Sequence, residues 1–136
     1  MDAKKFKKIA LVGATPDPRK YGNIILKDLK SKGIEVIPVN PKYEQIENLK
    51  CLKSVKELPE DIDVIVFVVP PEIGLQIAKD SIESGFKKLW FQPGAESKEI
   101  KDFLDSENVE YCFQRCIMVE TSLWIPITLY NHKTFC

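Results

Sequence analysis

The sequence predicts an α/β fold: a mostly parallel sheet of five to six strands, covered by helices on both faces in three layers. Three observations carry this reading. Short β-branched or apolar runs without polar alternation recur along the chain, the mark of strands buried on both sides. Segments with apolar residues at helical spacing separate them. Two of these segments stop at a glycine, and others open on proline or serine, residues that end and start helices. Such alternation closes as right-handed βαβ crossovers.

In order, the first strand is read at 9–14 (IALVGA) and the second at 35–40 (EVIPVN). The third, 63–70 (DVIVFVVP), is the most hydrophobic stretch; 88–92 (KLWFQ) is the fourth and 110–114 (EYCFQ) a weaker fifth. A helix over 19–32 carries Ile24, Ile25 and Leu29 at helical spacing and stops at Gly33. A second, over 71–84, opens on Pro71, puts Ile73, Ile77, Ala78 and Ile82 on one face, and stops at Gly85. A third, over 97–107, starts at Ser97 with Ile100, Phe103 and Leu104 inward. Residues 54–58 (SVKEL) form a short helix or strand crossing. With the first strand central, the expected order is 3-2-1-4-5 or close to it, a Rossmann-like arrangement. No repeat or linker interrupts 1–136, so one domain is expected. Its apolar tail, 121–136, is expected to pack on the domain or at an oligomer contact, because free exposure of Trp124, Ile125 and Leu129 would leave a patch that monomers avoid.

Composition narrows the function classes. Lys+Arg and Asp+Glu both total 20, which argues against a main role in gripping nucleic acid or an anionic membrane. No apolar run approaches the roughly 20 residues of a membrane span, and the basic start lacks a signal-peptide core, so the cytoplasm is expected. The four cysteines are too scattered for a disulfide framework and are expected to be thiols. His132 is the only histidine, and no ligand set completes a zinc site.

In an open α/β sheet, ligands bind beyond the carboxyl ends of the strands. After the first strand, Gly13 frees the backbone, and the helix that follows offers N–H groups to an anion, with Thr15, Arg19 and Lys20 nearby. Tight strand–helix packing would also explain Gly13. The turn lacks the G-x-G-x-x-G fingerprint, since Thr15 stands where the second glycine belongs, and no G-K-[ST] follows. The second strand ends Val39-Asn40-Pro41 without the carboxylate that holds a dinucleotide ribose, which disfavours NAD(P) or flavin. Val69, Pro70 and Pro71 form a rigid apolar wall, or simply a helix start. Trp90 reads as core, while Gln92-Pro93-Gly94-Ala95 is a turn at the ligand end.

Taken together, these strand ends resemble the small single-domain CoA-binding proteins of bacteria and archaea, which look like the CoA-binding domain of the succinyl-CoA synthetase α subunit. The residues that carry the resemblance are Val12-Gly13-Ala14-Thr15, Tyr21-Gly22, Val39-Asn40-Pro41-Lys42, Leu58-Pro59, Val69-Pro70-Pro71, the run from Trp90 to Ala95, and Arg115-Cys116. The resemblance implies coenzyme A as the ligand. It would set Gly13, Ala14 and Thr15, with Arg19 or Lys20, at the diphosphate and Tyr21 at the start of the first helix. Asn40, Pro41 and Lys42 would border the adenosine and its 3′-phosphate. Val69, Pro70 and Pro71 would flank adenine and pantetheine, and Gln92 and Gly94 would line the path to the thiol. The synthetase's phosphohistidine domain and partner subunit have no counterpart here, so acyl-CoA synthesis is not implied.

No catalytic constellation emerges, because Ser–His or Cys–His chemistry would need His132 in the tail. Cys116, next to Arg115, is either an inert thiol or a partner for a mixed disulfide with the CoA thiol. The expected function is therefore binding of CoA or acyl-CoA by a stand-alone carrier or regulatory module. An NAD(P)-binding oxidoreductase or redox sensor on the same fold is the alternative, and a homo-oligomer or protein partner stays open.

Overall fold

The computed structural model describes residues 1–122. Five parallel strands, β1 (Lys8–Val12), β2 (Glu35–Val39), β5 (Val64–Phe67), β6 (Lys88–Phe91) and β7 (Glu110–Cys112), form one sheet in the order β2-β1-β5-β6-β7. A two-residue hairpin, β3 (Gln45–Ile46) and β4 (Leu49–Lys50), stands apart from it. Side chains of successive strand residues alternate between two apolar layers. Ile9, Leu11, Val64, Val66 and Trp90 point toward α1 (Tyr21–Ser31) and the short α4 (Ile117–Glu120). Ala10, Val12, Ile65, Phe67 and Phe91 point toward α2 (Pro71–Glu83) and α3 (Lys98–Asp105). Both faces are thus covered, which is why the strands read as unbroken apolar runs.

The expected elements fall within two or three residues of their predicted bounds, and the crossing at 54–58 is a 3-10 turn, Val55–Glu57, capped by the Ser54 hydroxyl. The strand order differs from expectation. Numbering only the sheet strands it is 2-1-3-4-5, not 3-2-1-4-5, because the third strand pairs with the first rather than the second. Pro38 explains this locally. It lies opposite Leu11 in β2, and its carbonyl accepts from Leu52 N on the side away from β1. In a parallel strand the N of the same residue faces that side too, and proline has no hydrogen to offer a neighbouring strand. β2 is therefore held at the sheet edge, where among the described residues it is met by the isolated bridge Val39–Leu52.

Cys51 and Cys116 are free thiols. Cys112 is disulfide-bonded, against the expectation of thiols throughout. No helix among the described residues is long and apolar enough to cross a membrane. Thr121 at the start of the expected tail is buried, its hydroxyl bonded to Ile117 O, while residues 123–136, His132 among them, lie outside the described residues.

Candidate functional site

A cleft of about 720 Å³ lies beyond the carboxyl ends of β1, β2, β5 and β6, where the strand order reverses at β1. A smaller cavity of about 330 Å³ opens beside it, and the two share Gly13, Asn40, Lys42 and Val69. From the first turn, Gly13, Thr15, Arg19, Lys20 and Tyr21 line the larger cleft; Pro70, Pro71, Gln92 and Gly94 line it from the third and fourth strand ends. Val39 and Pro41 line the smaller cavity. Two of the expected residues lie outside both. Ala14 is fully buried, and Cys116 sits behind Gln92, whose Nε2 donates to its sulfur at 3.4 Å.

The floor of the cleft is built from backbone. Gly13 takes φ +98°, open to glycine, and its N–H donates to Val39 O. A Cβ there would stand 2.8 Å from Val68 O, and one on Gly22 only 2.1 Å from Gly13 O. Turn and helix therefore touch through bare backbone, which reconciles the packing and ligand readings of Gly13. As a consequence the first turn of α1 reaches the cleft, and its leading N–H groups have no intrahelical acceptor. Two side-chain amides, half-buried Asn40 and buried Asn23, hold this turn in place. Asn40 Nδ2 donates to Ala14 O and its Oδ1 accepts from Lys42 N, both at 2.9 Å, tying the ends of β1 and β2 together. Asn23 Nδ2 donates to Thr15 O at 2.9 Å and to Glu47 Oε2 at 3.1 Å, linking the same turn to the β3–β4 hairpin.

Gln92 is also a structural clamp. Its Oε1 accepts from Ile117 N at 2.7 Å, and with Trp90 Nε1 donating to Arg115 O it fixes the segment that follows β7. Gln92-Pro93-Gly94-Ala95 closes as a turn with Ala95 N donating to Gln92 O and Gly94 at φ +95°, the type II pattern that Pro-Gly at its centre favours. The Arg115 guanidinium, next to Cys116 in sequence, pairs with Glu120 at 2.9 Å. Burial pushes the thiol of the other free cysteine, Cys51, above its ordinary value. No group of three or more acidic, His or Cys side chains among the described residues could hold a metal.

Charge at the cleft comes from Arg19, Lys20 and Lys42, opposed by Glu72. The smaller cavity is walled by Val39, Val55, Val69, Ile73 and Ile77, with Lys42, Lys53 and Asp80 as its charged lining residues. Lys53, Ile73 and Ile77 were not singled out in the sequence. The two isoleucines were legible only as a helix face, and Lys53 is brought in by the hairpin.

Comparison with known proteins agrees with this picture. A family model described as CoA binding domain matches residues 7–122. An ADP-forming acetate–CoA ligase of Archaeoglobus fulgidus is 28% identical over 133 residues, 90% of this chain and 19% of the ligase. An uncharacterized protein of Bacillus subtilis, YneT, is 27% identical, with 83% of this chain and 84% of that one covered. The solved structure of a conserved hypothetical protein from Pyrococcus furiosus is 72% identical, superposes with a TM-score of 0.85, and covers 85% of this chain and 100% of its own. The chain spans less than a fifth of the length of the acetate–CoA ligases it matches.

Proposed function

Because the chain belongs to the CoA binding domain family, we propose that it binds coenzyme A or its acyl thioesters as a stand-alone carrier or regulatory module in the cytoplasm, folded as one domain. The observation that carries this reading is the pair of joined cavities, a smaller apolar one and a larger one that adds Arg19 and Lys20, sharing Gly13 and Lys42. Their chemistry fits the ligand part by part. The apolar cavity suits a flat adenine ring. The backbone floor at Gly13 and the first turn of α1 suits a diphosphate. Lys42 and Lys53 suit a phosphate on the ribose, and the larger cleft toward Gln92 and Gly94 suits the pantetheine arm.

A nicotinamide dinucleotide fits less well. Asn40 ends β2 where a carboxylate would hold the ribose hydroxyls, and both polar atoms of its amide are already engaged. The ligase activity belongs to those relatives, of whose length this chain spans less than a fifth.

The 3′-phosphate provides the test. Dephospho-CoA is expected to bind several-fold more weakly than CoA, and Lys42→Gln to remove most of that difference. Equal affinity for the two ligands in the unsubstituted protein would contradict the assignment.

A further inference from the structure

The loop between β1 and α1 carries a carboxylate that competes for the cation the ligand would use. Arg19 lines the cleft, and its side chain is 88% exposed. Its guanidinium is already engaged: Nε donates to Asp17 Oδ1 and Nη2 to Asp17 Oδ2, each at 3.0 Å. That edge of the guanidinium is the fork that matches a diphosphate bidentately. Asp17 does not line the cleft, and its side chain is 23% exposed. It is also anchored independently of the guanidinium. Oδ1 accepts from Arg19 N at 3.0 Å, the Asp17 amide donates to Thr15 Oγ1, and prolines on both sides restrict its backbone. The guanidinium is thus the mobile partner and the carboxylate the fixed one.

We propose that Asp17 is an internal competitor for Arg19, which releases the guanidinium only to a ligand carrying adjacent phosphates. The proposal rests on the CoA reading and deepens it. While paired, the two side chains are neutral together and add no attraction for anions. A single carboxylate or monophosphate offers Arg19 little more than Asp17 does, whereas a diphosphate offers more charge across the same fork. The exchange is affordable because an exposed ion pair contributes roughly a few-fold at most to an equilibrium constant. The adjacent guanidinium holds the Asp17 carboxyl below its ordinary range, so the carboxylate stays charged and competing at neutral pH.

Asp17→Asn keeps an acceptor for Arg19 N while removing the charge and one of the two oxygens that hold the guanidinium. Calorimetric titration with CoA and with inorganic pyrophosphate is expected to give about three- to five-fold tighter binding in this variant, less so in high salt. Arg19→Gln is expected to weaken binding, and the double variant to match Arg19→Gln. Unchanged or weaker binding in Asp17→Asn overturns the proposal. So does an equal gain in the Arg19→Gln background, which would reveal a general charge effect. If pyrophosphate shows the coupled pattern while CoA binds no variant, the exchange stands and the CoA reading falls. If neither probe binds any variant, both fall.

Discussion

Gly22 and Asn40 show how single residues set the geometry of the cleft. A methyl group on Gly22 would overlap the Gly13 carbonyl at 2.1 Å, so Gly22→Ala must push α1 away from the β1 turn. We expect it to cost about 3 kcal/mol in urea unfolding, at the upper end for overpacking, and to abolish ligand binding in whatever fraction folds. At this scale much of the site was readable. Gly13, Gly94 and the prolines announce their backbone roles by type, since few other residues tolerate those conformations. The structural roles of Asn40 and Gln92 were not readable. Both line the cleft, and their amides also bond to Ala14 O, Lys42 N, Ile117 N and the Cys116 sulfur. An amide at a strand end looks the same in sequence whether it serves a ligand or a neighbouring loop.

Among the elements, the long ones were legible and the short ones were not. α1 and α2 each carry a buried face long enough to leave a periodic signature, and the sheet strands, buried on both faces, read as apolar runs. The β3–β4 hairpin is two residues a side and turns on Glu47 and Asn48, at φ 50° and 65°. Such a turn is normally announced by Asn-Gly or Asp-Gly, and Glu-Asn gives no such signal. Missing it hid the route by which Lys53 reaches the smaller cavity. α4 was missed for a related reason: four residues cannot show a period, and tertiary bonds from Gln92 and Trp90 position the chain leading into it. Gln92→Leu tests that dependence. It would leave Ile117 N without its buried acceptor, costing about 1–3 kcal/mol, and the Ile117 amide should exchange with deuterium much faster than those of β6. Unchanged protection would mean that α4 is held by apolar packing alone.

For the whole molecule, the sheet order is the instructive miss. Alternation of strands and helices specifies a parallel α/β sheet but not which edge the third strand joins. Pro38 held that information, since a strand residue without an N–H belongs at an edge, and it placed β2 there and β5 beside β1. The reversal point falls at β1 in either order, which is why the ligand site could be found from strand ends even though the order was wrong. What the whole molecule then presents is one backbone-floored cleft, a neighbouring apolar cavity and a small set of cations between them. The claim that this surface holds coenzyme A is tested most directly by following the backbone amides in ¹⁵N–¹H correlation spectra while CoA is added. Saturable shifts are expected, centred on Gly13, Thr15, Tyr21, Gly22, Lys42 and Gly94, with the amides of Lys8, Lys88 and Glu110 at the opposite ends of the strands unmoved. Absence of shifts at millimolar CoA, or shifts confined to that opposite edge, would contradict that claim.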